Sequence, residues 1–446
     1  MATIEEVREA AESARIEIIG KTLTSRKTAG YEDVFEKYRK QIVEITRAVD
    51  RGGPLPDFVT IGESTDRALM NLPHPVRAMS MCQVDRQMAF VMGPQVLADV
   101  WAMAKCDFNL NDIMGMVQLA GVGAIEAALD KHKERMGDVN NGAITASLHP
   151  MYHHFVGGKI FTMRNSAVEA LHHTDIGGDV PCAYVHSPTP SVYIEFGEKP
   201  GSLPVFVHNN MTGDHELQGV YIIERTVEEI GGLPELKRGL GIADHQPARI
   251  MDIMFVGRAK ETLLDDATFH MTVYLQDDVM PANEMIERHI NLYSDPELAR
   301  VNMAMSDCMT RLPNEAEKAA YRDLLTWLIK VLTYLNVAGA RREERFDRYE
   351  LIKRLGKLGQ RKAAKHERKL STTYDYVLIG NDNDGAGLSG AKMSEISKRP
   401  HFRRGHIRMQ RYGEKLAKSK PVFIAPTFIN KTALGEEVQP KNYIVK

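Results

Sequence analysis

The chain has 446 residues, of which 43% are hydrophobic and 26% charged, a composition typical of globular proteins and sufficient for two or three domains. Its four cysteines lie far apart and form no CxxC pair, which argues against a thiolate zinc site and a disulfide framework and fits a reducing compartment. The most apolar run, Leu324 to Val337, is short for a membrane span and contains Lys330. With a polar, periodic N-terminus, these features predict a cytoplasmic protein without membrane contact.

The net charge of −2 conceals an asymmetry along the chain. From Arg341 to Lys446 there are 25 Lys and Arg against 12 Asp and Glu, so this part carries a net charge of +13 and the remainder a net charge of −15. Such a separation of charge indicates contact with nucleic acid or another polyanion at the basic end. A solvated helix face followed by a basic tail is the plainer alternative.

Residues 1–143 are predicted to form a helical N-terminal region. Thr3 and Glu6 have the spacing of a capping box, and a helical pattern of apolar residues follows to Gly20. A second amphipathic pattern begins at Tyr31 and stops at "RGGPLP". The Met-rich stretch from 79 to 136 is typical of packed core helices.

Residues 144–310 are predicted to form an α+β domain with a mostly antiparallel sheet. "PSVYIEFGE" places Val192, Ile194 and Phe196 on one face and Tyr193 and Glu195 on the other. Four further segments read as short strands separated by turn residues: "PVFVHN", "GVYIIERT", "RIMDIMFVG" and "TFHMTVYL".

Two segments complete the predicted organisation. Residues 311–370 hold a long helix with Leu324, Leu328, Val331 and Leu335 on its apolar stripe, and then a basic helix. Residues 371–446 hold a Gly- and Asp-rich connector and a basic β-hairpin arm, in which "GHIRMQRYG" pairs with "PVFIAPTFIN". Strand geometry spaces side chains on one face about 7 Å apart, close to the phosphate repeat of an extended nucleic acid.

The sequence contains no P-loop, no dinucleotide-binding GxGxxG, no HExxH and no GxSxG. We therefore predict no cofactor. Several histidines and one glutamate have a composition that could bind a metal, although without a recognised ligand spacing, so the prediction is no metal site. These residues are His149, His153, His154, Glu169, His172 and His173.

His401 and His406 flank Arg403 and Arg404 in "RPHFRRGH". Metal-free RNA cleavage needs a general base, a general acid and a cation on the phosphorane, so His401, His406 and Arg404 are candidate catalytic residues. The same side chains are equally suited to holding phosphates without cleaving RNA, or to making structural hydrogen bonds. The predicted phosphate-binding set is Arg399, His401, Arg403, Arg404, His406, Arg408 and Arg411.

The segment "KRPHFRRGH", followed about fifteen residues later by "VFIAPTFIN", resembles the C-terminal signature of a family carried by phages and plasmids. Its best-known members are anti-CRISPR proteins that act on the type V-A CRISPR nuclease. The resemblance implies recognition of the nascent N-terminal peptide of that nuclease and loss of its mRNA during translation. It covers roughly residues 180–430. Family members usually carry tryptophan after RRGH, where this chain has Ile407 and Arg408.

The resemblance and the charge pattern together predict a silencing protein that binds a nascent peptide and RNA or the ribosome. Tyr193, Tyr221 and Tyr274, on alternating strand positions, are candidates to line the peptide groove. Two alternatives stay open: a metal-independent ribonuclease, and a phage structural or assembly protein with an incidental basic tail.

Overall fold

The structure is a computed structural model of the full chain. It describes residues 30–37, 39–40, 67–80, 94–106, 108–117, 148–198, 203–209, 212–228, 240–243, 246–261, 267–295, 314–336, 340, 342–358, 369–370, 372–380 and 401–429. The predicted helix after Thr3 and the Gly- and Asp-rich connector after Gly380 lie outside these residues.

Helices and strands alternate in the described parts of the chain. The helices are α1 (Arg67–Met70), α2 (His74–Ser80), α3 (Pro94–Lys105), α4 (Leu148–Phe155), α5 (Asn165–His172), α6 (Ala282–Tyr293), α7 (Glu315–Asn336) and α8 (Asp347–Leu355). Residues 31–37 and 110–117 are also helical. The strands are β1 (Lys159–Met163), β2 (Thr174–Ile176), β3 (Ser191–Glu195), β4 (Phe206–Asn209), β5 (Gly213–Val227), β6 (Ala248–Gly257), β7 (Thr268–Leu275), β8 (Arg342–Arg345), β9 (Tyr376–Ile379), β10 (His401–Arg403), β11 (Gly405–Tyr412), β12 (Lys418–Ile424) and β13 (Thr427–Ile429).

Among the described residues, eight strands form one central sheet. Its order is β7-β6-β5-β3-β1-β9-β8, with β4 paired to β5. Strand β1 lies parallel to β3 and β9, and the other pairs are antiparallel. The α+β class is therefore confirmed, and the five segments read as strands coincide with β3 to β7.

One face of the sheet is aliphatic and carries the main core. Val192, Ile194 and Phe196 of "PSVYIEFGE" lie on this face, as the alternation predicts. The stripe of α7 packs over them, and Trp327 meets Phe196 edge to face at 5.6 Å between ring centroids. Helices α5 and α6 contact α7 on the same side.

The opposite face is polar and aromatic, yet it is also buried. Helix α4 packs on β3 and β5, and α2 packs on α4. Beneath them lie Tyr193, Tyr221 and Met254. The histidine-rich segment "HPMYHH" belongs to α4, whose buried side covers this second face.

The last four strands form a bent two-stranded ribbon. Strand β11 pairs antiparallel with β12, and β10 pairs antiparallel with β13. The bend falls between Arg403 and Gly405 on one strand and at Ala425 and Pro426 on the other. Strand β2, from the body of the protein, pairs in parallel with the start of β11.

No helix among the described residues is long and apolar enough to cross a membrane. The boundaries drawn at 143, 310 and 370 stay a prediction.

Candidate nucleic-acid interface

The basic ribbon is held firmly at its root. The Gly405 amide donates to the carbonyl of His173 at 2.9 Å, and the Gly177 amide donates to the carbonyl of Ile407 at 2.8 Å. Ile407 is fully buried in the main core. Phe423, opposite Ile407, meets the Tyr334 ring of α7 at 5.2 Å. The root of the ribbon is thus packed against the body of the protein.

The glycine of "RRGH" is required at this root. A Cβ atom on Gly405 would lie 2.5 Å from Oγ1 of Thr174 and 2.8 Å from the carbonyl oxygen of Ile424. Both contacts are far below van der Waals distance, so any side chain would push β2 and β12 away from β11. The same Cβ would lie 2.8 Å from Pro426, the central proline of "VFIAPTFIN".

The register of β11 and β12 assigns each side chain to a face. Arg408 lies opposite Val422, Gln410 opposite Lys420, and Tyr412 opposite Lys418. Cross-strand partners share a face and lie about 5 Å apart. Arg408, Tyr412, Lys418 and Lys420 are all exposed, and we call these four residues the basic face.

Arg411 lies on the other side of the ribbon. It is three residues from Arg408 and pairs with Ser419, so its side chain points away from the basic face. Arg408 and Arg411 therefore lie on opposite faces of the ribbon, because side chains alternate along a strand. Lysines of the return strand supply the positive charge instead.

Tyr412 is the exposed aromatic residue of the basic face. The amine of Lys420 lies 5.3 Å from the centre of its ring. An exposed ring beside cations is suited to stacking on an unpaired base while the cations hold phosphates. This position was not singled out in the sequence.

The predicted phosphate-binding residues are spread over the ribbon. Arg403 and Arg404 are exposed at the bend, and Arg404 lies 3.5 Å from the Asp175 carboxylate. His406 is half-buried opposite Ile424. Arg399 lies outside the described residues. His401 lies in β10, opposite Ile429, but its side chain is not described, so the catalytic pairing with His406 stays a prediction.

The three tyrosines predicted to line a peptide groove lie on the polar face of the sheet. Tyr193 and Tyr221 are fully buried, with ring centroids 4.7 Å apart. Tyr274 is half-buried, and burial raises its pKa to about 12. In this conformation the first two rings are covered by helices, and their role toward a peptide stays a prediction.

The polar face also carries a cluster of histidines that the sequence did not predict as a unit. The rings of His74, His149 and His153 lie around Tyr221, and the ring of His270 contacts that of His149. Nδ1 of His74 lies 2.8 Å from the Tyr221 hydroxyl, and the rings of His149 and His270 are 5.1 Å apart. Burial lowers the pKa of His149 to about 4 and that of His153 to about 3, so both are neutral at pH 7.

Part of this cluster was visible in the sequence, where His149 and His153 were considered as metal ligands. His149 and His153 are four residues apart on one side of α4, and His270 alternates with the core residues of β7. The residues considered for a metal separate into two groups, since His172 and His173 lie with α5 beyond the aliphatic face. Within the described part of the chain, no group of His, Cys, Asp or Glu is placed to hold a metal ion.

Comparison with known proteins gives one family. Residues 161–431, more than half of the chain, match the model described as "AcrVA2-like: Anti-CRISPR type V subtype A2 family". One solved structure, titled "Crystal structure of AcrVA2", is similar at 13% sequence identity, with a TM-score of 0.41, over 78% of this chain and 99% of that chain. No curated protein sequence matches. The matched residues include the central sheet from β1 and the whole basic ribbon.

Proposed function

Because this chain belongs to the anti-CRISPR type V subtype A2 family, we propose that it silences a type V-A CRISPR nuclease, or a comparable target, while that protein is being made. In this proposal the chain recognises the nascent N-terminal peptide of its target, and the basic ribbon contacts RNA on the ribosome or the message. Loss of the target mRNA follows.

The exposed basic face is the observation that carries the RNA part of this proposal. Arg408, Lys418 and Lys420 are exposed on the two-stranded ribbon, and the salt bridges among the described residues do not include them. About three phosphate contacts give an electrostatic attraction that needs no base sequence. This suits a protein that must find whichever message encodes its target.

The peptide part has support from the sheet. Among the described strands, β7 and β8 are the outer members of the main sheet path. An extended peptide can add a strand at such an edge through main-chain hydrogen bonds. Strand β8 is only four residues long and carries four charged side chains, which discourages strand addition. Strand β7 is the better candidate as far as Thr272, because the amide of Tyr274 already donates to His289.

A reporter experiment tests the proposal. A message encoding the nuclease's N-terminal segment fused to a fluorescent protein is co-expressed with this chain, and its mRNA is quantified. We expect a severalfold loss of the mRNA that disappears when the segment is recoded to a different peptide. The Arg408→Ala/Lys418→Ala/Lys420→Ala variant should relieve the loss, because the phosphate contacts are gone.

The matched control removes the same charge elsewhere. Lys353→Ala/Arg354→Ala/Lys357→Ala changes three exposed basic residues on and just after α8. It should silence like the wild type. If nuclease activity falls while its mRNA stays constant, the chain acts on the finished protein and the proposal is wrong.

A further inference from the structure

The tip of the basic ribbon is a short loop, residues 413–417, between the paired residues Tyr412 and Lys418. The Ala417 amide donates to the Glu414 carbonyl at 3.2 Å, so the residues from Glu414 to Ala417 form a hydrogen-bonded β-turn. The loop thus has a defined backbone, and it lies at the far end of the ribbon from the packed root.

The two central residues of this turn have a backbone conformation that glycine normally occupies. Lys415 has a φ of 52° and Leu416 a φ of 57°, and among the described residues these are the two non-glycine residues with positive φ. A turn with positive φ at both central positions is of type I′, where Asn-Gly is strongly preferred. In this conformation the Cβ of a leucine crowds the following carbonyl oxygen, so the turn carries strain.

Burial does not offset this strain. Residues 411–420 are all exposed, and 56% of the surface of Leu416 is exposed. A leucine that is neither buried nor suited to its backbone weakens the folded hairpin, which Asn-Gly would serve better. Strained residues of this kind cluster at functional sites, so the exposed leucine side chain indicates a contact with a partner.

The chemistry around the tip indicates which partner. From Arg408 to Lys420 the chain has five Lys and Arg and one acidic residue, Glu414. Tyr412, immediately before the loop, is 41% exposed, and the amine of Lys420 lies over its ring. Cations beside exposed rings and apolar side chains suit unpaired nucleic acid, because its phosphates meet the cations while its bases meet the apolar groups.

We infer that the tip of the ribbon binds unpaired RNA, with Leu416 packed against a base that has left its stack. Lys415 and Lys418 lie close to it in the chain and supply positive charge for the neighbouring phosphates. A continuous A-form duplex keeps its bases stacked and its major groove deep and narrow, so it offers no base face to this leucine. The inference rests on the proposed function and adds the kind of RNA, a loop or single strand in preference to a duplex.

A substitution that suits the turn and removes the apolar side chain tests the inference. Leu416→Asn relaxes the backbone, since asparagine tolerates positive φ, and it leaves the charge unchanged. By fluorescence anisotropy with a labelled, unstructured RNA, we expect about fivefold weaker binding than for the wild type, with the same slope of log affinity against log salt. Binding to a duplex RNA of the same length should be equal for the two proteins.

Three further measurements separate the leucine contact from charge and from folding. Lys415→Asn relaxes the same turn but removes a cation, so it should lower the salt slope for single-stranded RNA by about 0.7. Val279→Asn, the matched control, changes an exposed apolar residue elsewhere and should bind RNA like the wild type. Amides of β11 and β12 should exchange hydrogen no faster in Leu416→Asn than in the wild type; faster exchange would show that leucine suits the turn and would overturn the inference.

The possible results distinguish this inference from the proposed function. If Leu416→Asn binds RNA like the wild type while Arg408→Ala/Lys418→Ala/Lys420→Ala does not bind, the inference is wrong and the basic face still contacts RNA. If the wild type shows no salt-sensitive RNA binding, the RNA part of the proposed function is wrong as well. If Leu416→Asn loses ribosome association with no change in RNA affinity, the leucine contacts a protein surface and the assignment to RNA is overturned.

Discussion

Acidification from pH 7.5 to pH 5 is expected to lower the free energy of unfolding by about 2 kcal/mol for each deeply buried histidine with a depressed pKa. Burial lowers the pKa of His149 and His289 to about 4 and that of His153 to about 3. In the unfolded chain these groups titrate near 6.5, so the unfolded state binds more protons below that pH. The stabilisation is complete above pH 7 and is lost as the pH falls toward 4.

The geometry explains why these rings resist protonation. Nε2 of His289 accepts the Tyr274 amide at 3.0 Å, and its Nδ1 lies 2.8 Å from the Met285 carbonyl, an arrangement that fits a single neutral tautomer. Nε2 of His149 and Nε2 of His153 have no hydrogen-bond partner among the described residues. A second proton on any of these rings would be a buried charge without a counterion.

Urea unfolding followed by tryptophan fluorescence at several pH values measures this effect. Trp101 contacts Phe155 of α4 and reports on the helices over the polar face, and Trp327 reports on the main core. His149→Gln should flatten the pH dependence, whereas His208→Gln, at an exposed site, should not. Superimposable unfolding curves at pH 7.5 and pH 5 would show that the histidines are accessible to protons in the folded protein.

Removing the Glu195 carboxylate is expected to cost about 3–5 kcal/mol of stability. Its Oε2 accepts the Tyr193 hydroxyl at 2.8 Å, and its Oε1 accepts the Gln218 amide at 3.1 Å. Arg258 lies 4.0 Å away, and burial raises the Glu195 pKa. Alanine would leave the Tyr193 hydroxyl and one N–H of Gln218 buried without this acceptor, and Arg258 would keep only the Glu216 carboxylate at 3.7 Å.

The same network ties the helices over the polar face to the sheet. The Gln218 amide also donates to the Leu72 carbonyl at 2.9 Å, and Arg77 of α2 donates to the Gln218 side-chain oxygen at 3.1 Å. Glu195→Gln, which keeps the shape and an acceptor oxygen, should cost about 1 kcal/mol. Exposed Glu344→Ala should change stability by less than about 0.5 kcal/mol. Glu195→Ala with the stability of wild type in urea would show that the network contributes nothing.

The sequence predicted the elements whose apolar pattern lies within one segment of the chain. Alternation in "PSVYIEFGE" and "TFHMTVYL" predicted strands β3 and β7, and the stripe beginning at Leu324 predicted the buried side of α7. These patterns depend on neighbours along one element, so one chain segment contains the whole signal. The positive charge of residues 341–446 was also evident, because it depends on the composition of one continuous segment.

The sequence did not predict features that depend on pairing between distant segments of the chain. The basic face combines Arg408 with Lys418 and Lys420 because of the register between β11 and β12, which only the folded pair specifies. The histidine cluster joins α2, α4 and β7, from three separate parts of the chain. Arg404 lies beside Asp175 because β2 pairs with β11, and a three-residue strand has no distinctive sequence pattern.

Ribosome co-sedimentation tests most directly the central claim that the basic ribbon contacts RNA during translation. Lysates of cells expressing the wild type, the basic-face triple variant or the α8 triple variant are centrifuged at low and high salt. We expect salt-sensitive sedimentation of the wild type and of the α8 variant. Removing three phosphate contacts should lower the slope of log affinity against log salt by about 2 and release the basic-face variant from ribosomes. Equal sedimentation of all three proteins at every salt concentration would contradict the claim and move the search for function to the central sheet.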